Sequence, residues 1–149
     1  MRTNWGATIL ALGAFALCAG TLAAQAPRIS VQELEGFMKA ISSANAALGK
    51  KVTGNDLAGA ASDAQTIVKT LTSVETFWTQ NSKSDGAMWA MEAQKTATAL
   101  AAALTSGDAT NVAALRKQLG GNCTTCHTAY REGSPQTGGY TIKAGVVTQ

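Results

Sequence analysis

Apolar residues recur at helical spacing along four stretches of this chain, and each stretch is closed by a polar or glycine-bearing break. Val31, Leu34, Met38, Ile41, Asn45 and Leu48 step alternately by three and four, the seam of a helix lying against other helices, with only Asn45 off pattern. Ser30 is the N-cap of this helix. Gly49-Lys50-Lys51 and then Thr53-Gly54-Asn55 close it after Leu48, the lysines suiting the negative end of its dipole. A second helix opens at Asp56 and runs to about Gln80 along Leu57, Ala60, Ala64, Ile67, Leu71, Val74 and Phe77 or Trp78. A third starts at Ser84 or Asp85 and continues to Leu104, carrying bulky Met88, Trp89 and Met91 and then mostly alanine and threonine. After the break at Ser106-Gly107-Asp108, a fourth runs from about Asp108 to Arg131 with Val112, Leu115, Leu119, Cys123, Cys126 and Tyr130 on one face. Four helices of about 20 residues, each roughly 30 Å long, pack most simply as an all-α, antiparallel up-down-up-down four-helix bundle over residues 27–132. The glycine-rich residues 133–149 read as a loop-like tail with 140–147 extended or docked, and no role follows from them.

Composition agrees with that picture. Apolar residues make up 46% of the 149, much of it alanine, against 5% aromatics and two prolines, which favours close-packed helices over a sandwich or barrel. A net charge of +3 with 14% charged residues gives no basic stripe, so nucleic-acid binding has no support.

Residues 1–26 read as a secretory signal peptide, with Arg2 as the positive start, an apolar run from Ala7 to Ala19, and a small-residue cleavage zone at Ala23-Ala24-Gln25-Ala26. The mature protein is then expected in the periplasm, with no stable membrane span. Cleavage removes Cys18 and Arg2. Eleven of the twelve basic residues remain against nine acidic ones, a net of +2, and the only thiols left are Cys123 and Cys126.

Those thiols belong to Cys123-Thr124-Thr125-Cys126-His127, a C-x-x-C-H, the attachment signature of a c-type haem. The two thiols add across the porphyrin vinyl groups, and the imidazole supplies a nitrogen to the iron from one face. On a helix at about 100° per residue, Cys126 lies roughly 60° to one side of Cys123 and His127 roughly 40° to the other. One flat ligand can therefore engage all three. A closed zinc site needs four ligands, and a thioredoxin-like redox pair needs a βαβ context that this sequence lacks.

A four-helix pattern ending in Cys-x-x-Cys-His-x-x-Tyr-Arg, here Cys123 to Arg131, resembles the cytochrome c prime family, the class II c-type cytochromes. The resemblance covers about residues 29–132. It implies a bundle holding one covalent haem c, with His127 as the proximal iron ligand. It also implies that Glu35-Gly36-Phe37-Met38-Lys39 of the first helix faces the open side of the iron, which makes Met38 the distal candidate. Family members often carry an arginine four residues earlier, where this chain has Leu34. Homodimers are common in the family, and a redox partner protein is implied without being named.

Tyr130 follows Cys126 by four positions and Arg131 follows His127 by four, so both stay on the haem side of the helix. Arg131 either holds a propionate, places charge beside the proximal ligand, or is a solvated cation at the helix end. Met38 either ligates the iron, giving a low-spin centre of raised potential, or covers the distal face without bonding. Trp78, Trp89 and Phe77 either wall the haem or pack as ordinary core. The expected function is electron transfer without making or breaking substrate bonds, hence no enzyme. The alternative is a five-coordinate haem protein that binds nitric oxide or carbon monoxide. Hydrolytic catalysis has no support, because His127 is the sole histidine and no nucleophile arrangement is visible.

Overall fold

The computed structural model describes residues 27–147; the leader expected at residues 1–26, with Cys18, lies outside them. Four helices follow in order, α1 at Val31–Thr53, α2 at Leu57–Gln80, α3 at Ser84–Ser106 and α4 at Ala109–Tyr130. Each packs against the next in the chain, and the connections are only two or three residues long, so neighbours run antiparallel as the up-down-up-down pattern requires. No helix among the described residues is long and apolar enough to cross a membrane.

Local chemistry sets the helix ends. Ser30 and Glu33 form a reciprocal capping box at the start of α1, satisfying two backbone N–H groups that the helix leaves orphaned. Asp56 and Asp108 cap α2 and α4, accepting from Gly59 N and Asn111 N at 2.9 and 3.1 Å. Lys51, near the end of α1, pairs with Asp63 of α2 at 2.9 Å and pins the first hairpin. Gly107 ends α3 in the left-handed region at φ 72°, a conformation that glycine adopts without a Cβ penalty.

The core has two parts. The larger part joins Leu48 of α1, Ala60, Ala64, Ile67 and Leu71 of α2, Ala93, Ala97, Leu100 and Leu104 of α3, and Val112 and Leu119 of α4. Facing alanines let α2 and α3 approach closely, and each buried leucine or isoleucine contributes roughly 1.5–3 kcal/mol. The smaller part, at the end where α4 finishes, consists of Leu34, Val74, Phe77, Trp78 and Ala90.

Two details differ from the sequence pattern, and α3 adds two that the pattern left open. α1 does not stop after Leu48 but runs through Gly49 to Thr53, because one glycine in a helix costs only about 1 kcal/mol and Val52 beyond it packs on the core. Ala44, not Asn45, is the buried residue of that turn, since a straight helix drifts off a strict three-and-four repeat. α3 opens at Ser84, one of the two starts the pattern offered, and Lys83 before it provides no side-chain cap. Met88 and Met91 face solvent at 50% and 41% exposure, while Gly86, Ala90, Ala93 and Ala97 supply the buried line of α3.

The tail is ordered into a hairpin. β1, Arg131–Ser134, continues directly from α4 and pairs antiparallel with β2, Gly139–Ile142, in the register Arg131 to Ile142. Ile142, Val146 and Val147 then pack on the smaller core.

Candidate functional site

The last two turns of α4 carry Cys123, Cys126, His127 and Tyr130, all half-buried, whereas the intervening Thr124 and Thr125 are exposed and donate back to Gly120 O and Gly121 O. The polar residues of the motif thus face water and its chemical residues face the bundle. Both cysteines are free thiols. Cys126 and Tyr130 pack on the smaller core, and Phe37, Met38 and Ile41 of α1 pack on that same core. Helical order therefore brings residues almost ninety positions apart to one end of the molecule.

This end is bounded by a loosely packed seam. α1 packs along α2 and α4 along α3, but α1 and α4 share no comparable backbone packing. A flat ligand entering between α1 and α4 would separate no tightly packed helix pair. Grooves elsewhere on the surface, beside Leu57 and Leu104 or beside Asn45 and Arg116, contain none of the motif residues.

Burial pushes the Cys126 thiol up to about 11, with the Cys123 and Asp85 charges adding to the effect, and burial also raises Cys123. Both sulfurs are therefore protonated near neutral pH. The His127 ring is shifted the other way, first by burial and then by the positive charge of Arg131, which keeps it neutral with a nitrogen lone pair free to donate. No group of three or more histidine, cysteine, aspartate or glutamate side chains among the described residues is placed to hold a metal ion by itself.

An aromatic block stands beside the motif. The Tyr130 ring lies 4.6 Å from Trp78 and 5.6 Å from Trp89, and Phe77 meets Trp78 edge-on at 5.0 Å. The Tyr130 hydroxyl donates to Asp85 Oδ1 at the start of α3. Burial, then Asp85, pushes the Tyr130 phenol up to about 12, and this hydrogen bond is the main reason the Asp85 carboxyl sits low. Trp78 Nε1 is buried with no hydrogen-bond partner among the described residues, a donor suited to an acceptor oxygen on a bound group.

All six residues singled out from the sequence lie at this end of the bundle. Met38, Cys126 and Tyr130 share the smaller core, with Cys123 and His127 on the same helix. Arg131 stacks its guanidinium 3.9 Å from the Tyr140 ring centroid, so the tail holds it beside His127. Leu34 is buried in the smaller core. Sequence reasoning missed Asp85, Gly86 and Lys143. The first two lie in the opening turn of α3, where the sequence is polar and without apolar periodicity, and the third in the tail, so no local pattern marked them.

The donor set fits a c-type haem: two thiols and one neutral imidazole on one helix face, a thioether on the helix across the seam, and aromatic rings beside the motif. A model of the family described as Cytochrome C' matches residues 30–131. No curated protein and no solved structure matches the chain.

Proposed function

Because the chain belongs to the cytochrome c prime family, we propose that it is an exported monohaem cytochrome that carries electrons and makes or breaks no substrate bond. Cys123 and Cys126 would hold the haem through thioethers, which suits their free, protonated sulfurs. His127 would ligate the iron on the proximal side, with its ring kept neutral by burial and Arg131. When bound, the haem supplies one-electron exchange at iron.

The remaining work is done by the chain. Tyr130, wedged between Trp78 and Trp89 and tied to Asp85, stiffens the end of α4 and limits rotation of the helix that carries His127. Leu34, Phe37 and Ile41 keep the facing side of α1 apolar, which excludes water and raises the energetic cost of charge there. Trp78 Nε1 is available to a propionate oxygen. The leader read in residues 1–26 supports a periplasmic location, where haem can be attached to an exported chain.

One observation carries the choice of electron transfer: Met38 of α1 and Cys126 of α4 pack on the same small core from opposite sides of the loose seam. A thioether on the core that also carries Cys126 would be available to the iron as a second protein ligand, and an iron so saturated would have no vacancy for gases. The wild-type protein should therefore show a low-spin spectrum in both redox states that added carbon monoxide leaves unchanged. A high-spin spectrum that shifts readily with carbon monoxide would replace this reading with gas binding.

A further inference from the structure

The last four carbonyls of a helix have no partner within it, and each needs one from elsewhere. In α4 those carbonyls belong to the turn that begins with His127. Arg131 N donates to His127 O. The other three are all taken by one residue of the tail. Lys143 Nζ donates to Thr128 O at 2.8 Å and to Ala129 O at 3.1 Å, and Lys143 N donates to Tyr130 O at 2.9 Å. A cation at this point also opposes the negative end of the helix dipole.

The hairpin delivers the lysine there. Pairing of Arg131 with Ile142 places position 143 back beside Tyr130, one step further along the ladder. Arg131 on Tyr140 ties the two strands together through their side chains. Ile142, Val146 and Val147 anchor the far side on the same core that holds Met38, Cys126 and Tyr130. The family match ends at residue 131, so this device lies beyond the bundle that the family shares.

We propose that the C-terminal hairpin is a clamp on the turn that carries His127, with Lys143 as its positioning residue. The clamp acts in two ways. It holds the backbone of residues 127–130 against fraying, which fixes the imidazole relative to the two thiols. It also keeps an ammonium group on Thr128 O and Ala129 O, in the turn that carries the proximal ligand, where positive charge would disfavour the oxidised, more positive iron and raise the potential. The inference about potential rests on the haem reading above; the clamp on the helix does not.

The test compares full-length wild type with Lys143→Met, which keeps the apolar stem, and Lys143→Arg, which keeps the charge. Amide hydrogen exchange at residues 127–131 should become about tenfold faster in Lys143→Met, with Ile67 in α2 unaffected and Lys143→Arg close to wild type. The midpoint potential should fall in Lys143→Met and recover in Lys143→Arg. Unchanged exchange at residues 127–131, or acceleration spread evenly over all four helices, would overturn the clamp. An unchanged potential alongside faster local exchange would overturn the electrostatic role. If the chain carries no covalent haem, the functional reading fails while the exchange rates still decide the clamp.

Discussion

Met38→Ala should convert a low-spin protein indifferent to carbon monoxide into a high-spin one that binds it. Met38 is half-buried on the core it shares with Cys126, and no other sulfur or nitrogen donor on α1 faces that core. If Met38 holds the iron as proposed, removing the thioether would open that position and withdraw the ligand that favours the reduced iron, so the midpoint potential should drop within the roughly 0.8 V span that haem ligands set. Truncation also removes packing, at about 2 kcal/mol or less for a side chain only partly buried. Met38→Leu separates the two effects because it keeps the volume and removes only the sulfur. Both variants should open the iron to carbon monoxide, while only Met38→Ala loses stability. A spectrum unchanged in both would show that Met38 merely covers the distal face.

Gly86→Ala should destabilise the bundle even though alanine is the better helix former. A Cβ at position 86 would meet Trp78 Cγ at 2.8 Å, Trp78 Cδ2 at 2.9 Å and Tyr130 Cε2 at 3.0 Å. Neither ring can move aside cheaply. Trp78 is 2% exposed and abuts Phe77, and Tyr130 is held by Trp89 and by Asp85. Overpacking of this kind costs about 1–3 kcal/mol, against a propensity gain of at most about 1 kcal/mol. Gly36→Ala is the matched control, since nothing lies within 4 Å of a Cβ built there and it should stabilise α1. Chemical denaturation of the two variants should move their midpoints in opposite directions. A Gly86→Ala protein as stable as Gly36→Ala would mean that the aromatic block is looser than its geometry implies. Because the block adjoins Cys126, the same substitution should also perturb the haem spectrum.

The haem motif was readable from sequence because its spacing is dictated by the ligand rather than by the fold. Helix count and order were readable because apolar periodicity is local and strong in α1, α2 and the first half of α4. The end of α1 was not, since Gly49 reads as a stop and only tertiary burial of Val52 carries the helix onward. In α3 the sequence marked no buried face: large Met88 and Met91 turn outward, and small Gly86, Ala90 and Ala93 turn inward because close approach to α2 favours small residues. Lys143 was invisible for another reason. Its partners lie thirteen to fifteen residues away, across a hairpin whose glycines look like a loop.

The positions of Tyr130 and Arg131 illustrate the same division. Spacing alone put both on the motif side of α4; Tyr130 closes that helix, while Arg131 lies just past it as the extended first residue of β1. What each does there depends on distant residues: Asp85 and the two tryptophans for Tyr130, and Tyr140 for Arg131.

Intact mass of the mature protein, purified from cells able to attach haem and then unfolded in acid, tests the central claim most directly. The polypeptide should be heavier by one haem, and the added mass should disappear in the Cys123→Ala, Cys126→Ala double variant. A wild-type mass equal to that of the bare polypeptide would contradict the account.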